Sequence, residues 1–209
     1  LMSTNIVAVL YLLSALLFIF ALRGLSHPES SRLGNIFGII GMVIAIITTL
    51  MFKSVLSYFE IGSAILVGGA IGTIIALRIE MTALPQLVAA FHSLVGLAAV
   101  FVAAAAFYDP ISFNIGRFGA IATSSLIEMS IGTFIGAVTF SGSVLAFGKL
   151  QGIISGKPIV FKFQHALNAL IFIFIICLIV FFVINQSPTI FWLIVITSII
   201  LGFLVVIPI

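Results

Sequence analysis

The chain has 209 residues, of which 63% are hydrophobic and 6% charged, with a mean hydropathy of +1.47 and a formal net charge of +3. Soluble domains carry about 25% charged residues, so a water-soluble fold is excluded and the expected class is an all-α, polytopic transmembrane helix bundle. The eight basic residues are scattered along the chain, which excludes the clustered basic face of a nucleic-acid binder.

A spanning helix needs about 20 predominantly apolar residues. Seven runs meet this: 5–22, 34–52, 61–77, 83–107, 124–148, 166–184 and 189–207. Together they predict a single transmembrane domain over 1–209 with no soluble domain. The first run lacks a basic n-region and a small-residue cleavage site, so it reads as a retained helix and not as a signal peptide. A polar connector, Ser26 to Arg32, follows it. The connector from Asp109 to Thr123 is longer and partly apolar, and fits either a short interfacial or a re-entrant piece. Lys149 to His165 is a connector broken by Gly152, Gly156 and Pro158. Cys177 is the one cysteine and has no internal partner. Asn185 to Pro188 forms a tight turn, with Pro188 suited to the first turn of the last helix. Leu1 and Ile209 fit either natural ends or the boundaries of a fragment.

Glycines four apart recur at Gly34 and Gly38, Gly68 and Gly72, and Gly132 and Gly136. Such pairs let membrane helices approach closely; a glycine-lined water path is the alternative reading. Basic residues set orientation. Alternate loops carry Arg23, Arg32, Arg78, Lys149, Lys157 and Lys162 on one side, against Lys53 and Arg117 on the other. That split predicts an outside N-terminus and a C-terminus on the cytoplasmic side.

His92 is the only titratable side chain between Met81 and Tyr108. Ionisable groups at membrane depth are costly and mark functional sites by default, and imidazole is the side chain that titrates nearest physiological pH. His92 falls about 13 Å into its helix at 1.5 Å per residue. Ala89, Gly96, Ala99 and Ala103 share its face, so His92 is expected to point into the bundle and Ser93 to point elsewhere. A neutral, hydrogen-bonded structural histidine is the competing reading. His27 and His165 sit in loops. One intramembrane histidine is too few for a haem or metal site, so no metal is expected. Glu80 follows Arg78 at the mouth of the fourth helix, and Glu128 opens the fifth; both read as helix-end carboxylates. The fifth helix also carries Thr139, Ser141 and Ser143, the most polar buried patch besides His92. Hydroxyls in a helix commonly bond back to the preceding turn; here they are also candidates to line a path.

These residues resemble a known family. Glu80 through Val100, with Leu84-Pro85-Gln86 and Phe91-His92-Ser93-Leu94-Val95-Gly96 at its heart, looks like a helix of the proton-translocating NAD(P) transhydrogenase beta subunit. Ile131 through Leu150, including Thr139-Phe140-Ser141-Gly142-Ser143, is a second match. Ser30 through Met42, with Val67-Gly68-Gly69-Ala70-Ile71-Gly72, is a third. The resemblance implies a membrane part that carries protons while hydride passes from NADH to NADP. It puts the family's membrane histidine at His92, as proton relay, and its channel serine at Ser143. Ser141, Thr139 and Glu80 join them as path candidates.

The resemblance further implies an alpha subunit and an NADP(H)-binding domain as partners, a dimeric assembly in the lipid bilayer, and a bacterial inner or mitochondrial inner membrane. NADP(H) and NAD(H) would bind to other domains. This chain has no glycine-rich loop between a strand and a helix, and it lacks the family's later intramembrane asparagine. Alone it is expected to hold no cofactor and to catalyse no hydride transfer. A proton-coupled secondary transporter or channel fragment is the alternative. A purely structural anchor is the third reading.

Overall fold

The computed structural model describes residues 4–51 and 57–209. Lys53 and the last residue of the second expected span lie outside the described residues. Seven helices follow in order: α1 (Thr4–Leu25), α2 (Ser31–Leu50), α3 (Tyr58–Arg78), α4 (Leu84–Tyr108), α5 (Thr123–Leu150), α6 (Gln164–Asn185) and α7 (Pro188–Val206). Each is long and apolar enough to cross a membrane. The architecture is therefore the all-α bundle expected, and the helix ends fall within three residues of those read from hydropathy. Pro188 does occupy the first turn of α7.

The helices form two compact units, Leu1–Ile71 and Gly72–Ile209. In the first, α1 and α2 make a hairpin through a single 3-10 turn, Pro28–Ser30. Its tightest point is glycine on glycine: a Cβ on Gly24 would stand 2.6 Å from the Cα of Gly34. Ser14 Oγ donates to Gly41 O at 2.7 Å farther along the seam. The division between the units falls within α3, which buries none of its residues. The expected packing of Gly68 and Gly72 is not observed, since a Cβ on either would meet nothing within 4 Å. Spacing alone does not reveal whether a neighbour is present.

In the second unit α5 packs against both α4 and α7, and α6 pairs with α7. Between lipid-exposed helices the hydrophobic effect offers little, so small residues and close backbone contact do the joining. Gly96 and Gly136 supply this for α4 and α5: a Cβ on Gly96 would lie 2.6 Å from both Gly136 O and Phe140 N. On the other side of α5, a Cβ on Gly202 of α7 would run into Val138 O and Ser141 Oγ. Phe107, Phe182 and Phe191, from α4, α6 and α7, are fully buried and close one end, with centroids 5.1 to 5.8 Å apart.

The connector from Asp109 holds no helix. It is a turn leading into an antiparallel ribbon of two-residue strands, Gly116–Arg117 with Ala120–Ile121. Gly116 (φ 132°) and Gly119 (φ 82°) take backbone angles that other residues rarely adopt. Gln186, between α6 and α7, clamps the ribbon: its Oε1 accepts from Ile121 N at 3.1 Å and its Nε2 donates to Ile121 O at 3.5 Å. At the opposite end, Lys149 Nζ donates to Ile207 O at 2.8 Å, a cation on the carbonyl end of α7.

Two outcomes follow. Gly96→Ala forces the α4 and α5 backbones apart and should lower stability by about 1–3 kcal/mol, read as a lower unfolding temperature in detergent. Gln186→Ala removes both clamp bonds, worth about 1–2 kcal/mol together. Hydrogen exchange at the Ile121 amide should accelerate; an unchanged rate would show that the clamp holds nothing.

Candidate functional site

The buried stripe of α4 is Ser93, Gly96, Val100, Ala103, Ala104 and Phe107. The expectation that His92 points into the bundle and Ser93 away is therefore reversed. Ser93 is buried and its Oγ donates to Ala90 O at 2.7 Å. His92 is exposed at the edge of the stripe. The reason is rotational: small residues cover a wide arc of α4, and the Gly96–Gly136 contact selects one part of it.

The same contact fixes height. Gln86 Nε2 donates to Leu150 O at 3.2 Å, and Gly96 lies between Gly136 and Phe140. In an antiparallel pair this register sets His92 level with Ser143 of α5. The flank is shared as well. A cavity of about 420 Å³ opens along one side of α4 and α5, lined by Ala99, Ala103 and Ala106 from one helix and Ser125, Glu128 and Gly132 from the other. His92 lies seven residues before Ala99, within about 20° of it around the helix. Thr139 and Ser143 lie seven and eleven residues after Gly132, again within about 20°. His92, Thr139 and Ser143 therefore lie on the same side of their helices as the cavity lining, beyond the residues that line it.

The hydroxyls of α5 divide into two sets. Ser141 is fully buried toward α7, and its Oγ donates to Ala137 O at 3.0 Å. Ser130 likewise donates to Leu126 O at 2.6 Å. Thr139 and Ser143 are half-buried and, among the described residues, neither bonds back to a carbonyl. The register sets His92 level with Ser143, with Thr139 about one turn away on the same side of α5, and Ser141 lies on the α5–α7 seam. Glu80 is exposed in the short stretch before α4, where its carbonyl accepts from Ala83 N at 2.9 Å.

Glu128 is not the helix-end carboxylate that its position suggested. The N-cap of α5 is Ala122, and Glu128 stands in the second turn, lining the cavity. Gly132 is also in the groove, with open space where a Cβ would be, while Gly136 is packed. The sequence pair therefore serves both readings, one glycine each. Thr133 and Ser198 carry buried hydroxyls without partners among the described residues, as does the Asn168 side-chain carbonyl. A lone asparagine four residues into a helix gave no periodic signal that would have singled it out.

The one strand pair among the described residues leads into α5 without the strand–glycine loop–helix unit of dinucleotide-binding folds.

Seven helices long and apolar enough to cross a membrane, among the described residues, define an integral membrane protein. Residues 7–209 match the family model described as NAD(P) transhydrogenase beta subunit, and the chain belongs to that family. Two curated relatives from Rhodospirillum rubrum, one of them from a named strain, are each called NAD(P) transhydrogenase subunit beta. Each is 54% identical over 208 residues, covering 100% of this chain and 45% of the relative. The chain thus spans about half the length of the curated relatives it matches.

Proposed function

We propose that this chain is the membrane proton-conducting part of a proton-translocating NAD(P) transhydrogenase, which couples hydride transfer from NADH to NADP with proton movement across the membrane. The reading is supported by the α4–α5 register, which sets His92 level with Ser143, and by the cavity that opens on the same side of these two helices. Family membership supplies the reaction.

An imidazole can accept and release a proton near physiological pH. His92 exchanges its proton with one side of the membrane and then with the other, in alternating access. Thr139 and Ser143 offer oxygens that accept and pass hydrogen bonds, directly or through water. Ser141, tied to its own backbone, supports the α5–α7 seam. Glu80 stands at the other mouth, before α4. The exposed flank calls for further protein to enclose it, and the alpha subunit and remaining beta-subunit helices supply that wall. NAD(H) and NADP(H) are held by other domains of the enzyme. The assembly is a dimer in a bacterial inner or mitochondrial inner membrane, with the N-terminus of this chain outside.

The test is the complete enzyme in sealed vesicles, with both nucleotides supplied. His92→Ala should lower proton-coupled turnover by about 10²-fold or more, the scale of losing a positioned proton-transfer group. Full coupling in that variant would rule out the role. Ser143→Ala and Thr139→Val each remove one hydrogen-bonding oxygen. Each should slow proton flux about two- to tenfold, whereas Thr139→Ser, which keeps the hydroxyl, should not.

A further inference from the structure

The groove has a second titratable group, and its position points to a task. We infer that Glu128 is the proton-collecting carboxylate at the mouth of the groove opposite Glu80, and that it feeds His92. The inference rests on the proton-conducting reading above and adds the point of entry and the direction of approach.

Three observations support it. First, Glu128 lines the 420 Å³ cavity, whose other walls are almost wholly apolar. Glu128 itself is exposed, so its carboxylate is reachable from outside the helix pair while it lines the cavity. Among the described residues it has neither hydrogen bond nor ion pair. At this end of the unit Ser112 Oγ donates to Asp109 Oδ2 at 2.5 Å, and Trp192 Nε1 donates to Tyr108 OH at 3.1 Å.

Second, its height is that of a membrane surface. The α4–α5 register places Glu128 opposite Phe107 and Tyr108. Tyr and Trp gather where bilayer meets water, and the Tyr108–Trp192 pair marks such a level. Glu128 therefore stands at the entrance, not at mid-depth.

Third, it shares a face with the rest of the groove. Gly132, Thr139 and Ser143 follow it along one side of α5. From Glu128 to Ser143, and so to the level of His92, is about 22 Å at 1.5 Å per residue. No other titratable side chain stands on this face of α5 between them.

The step involves no electron transfer. A proton from the adjoining water adds to a carboxylate oxygen of Glu128, giving the neutral acid. It then leaves for the oxygens of the groove, water and the hydroxyls of Thr139 and Ser143, and ends on a ring nitrogen of His92. Glu128 returns to its charged form. The titratable or charged groups on the surrounding elements are His92 on α4, Tyr108 and Asp109 at its end, and Arg117 in the ribbon.

The experiment uses the complete enzyme in sealed vesicles, measuring proton flux and turnover across a range of pH on the Glu128 side. Glu128→Gln keeps the shape and removes the titration. It should lower proton-coupled turnover about tenfold or more and abolish the dependence on pH at that side. Glu128→Asp should retain flux and a pH profile close to those of the unaltered enzyme. Unchanged flux and an unchanged profile in Glu128→Gln would overturn the inference, as would equal loss in Gln and Asp variants that assemble normally. If Glu128→Gln does not assemble, Glu128→His decides: restored flux with a displaced profile supports collection, and an unshifted profile refutes it. His92→Ala run in parallel separates the two claims. Loss of coupling there with a normal Glu128→Gln enzyme defeats only the entry role, while a normal His92→Ala enzyme defeats the underlying reading.

Discussion

The close approach of Gly96 and Gly136 sets the geometry of everything discussed above. Two helix backbones come together where any side chain would separate them. In a bilayer such contact gains dispersion energy and replaces lipid against protein, which is where helix association in membranes finds its stability. The contact also selects a rotation and a register. Rotation turns Ser93 inward and leaves His92 on the flank. Register brings His92 to the height of Ser143 and Glu128 to the height of Tyr108. Were the helices rotated by one residue, about 100°, the polar groups would be scattered.

The hydroxyls show how an apolar helix can carry polar groups at different cost. Thr48, Thr49, Ser93, Ser130, Ser141 and Thr197 all donate to carbonyls three or four residues earlier. Those groups are satisfied within their own helix and behave as small packing residues. Thr139 and Ser143, on the groove side, make no such bond among the described residues. The distinction between a structural hydroxyl and one available to a path therefore lies in which face it occupies, two residues on α5 being enough to change it.

Hydropathy made the seven helices legible, because twenty apolar residues in succession have few other uses. The candidate site was half legible. His92 stood out by being the one ionisable group in its span, and Ser143 and Thr139 by lying among glycines. Which way His92 faces was not legible, because alanines and glycines surround α4 on several sides and give no single stripe. Glu128 looked like a helix end because the true start of α5, at Thr123, follows a ribbon that polar and apolar residues in mixture do not announce. Ser141 and Ser143 stand two positions apart, and only the packing of Gly202 against Ser141 assigns them to different neighbours.

Membership of the transhydrogenase beta-subunit family gives the groove its context, and the groove gives the family's membrane part a physical description in this chain. The most direct measurement is water access along it. Single cysteines at 139, 141 and 143, in the complete enzyme with Cys177→Ala, would be treated in membranes with a small water-soluble thiol reagent. Labelling at 139 and 143 with protection at 141 is the predicted pattern. Protection at all three, or labelling at 141 alone, would contradict a hydrated flank between α4 and α5.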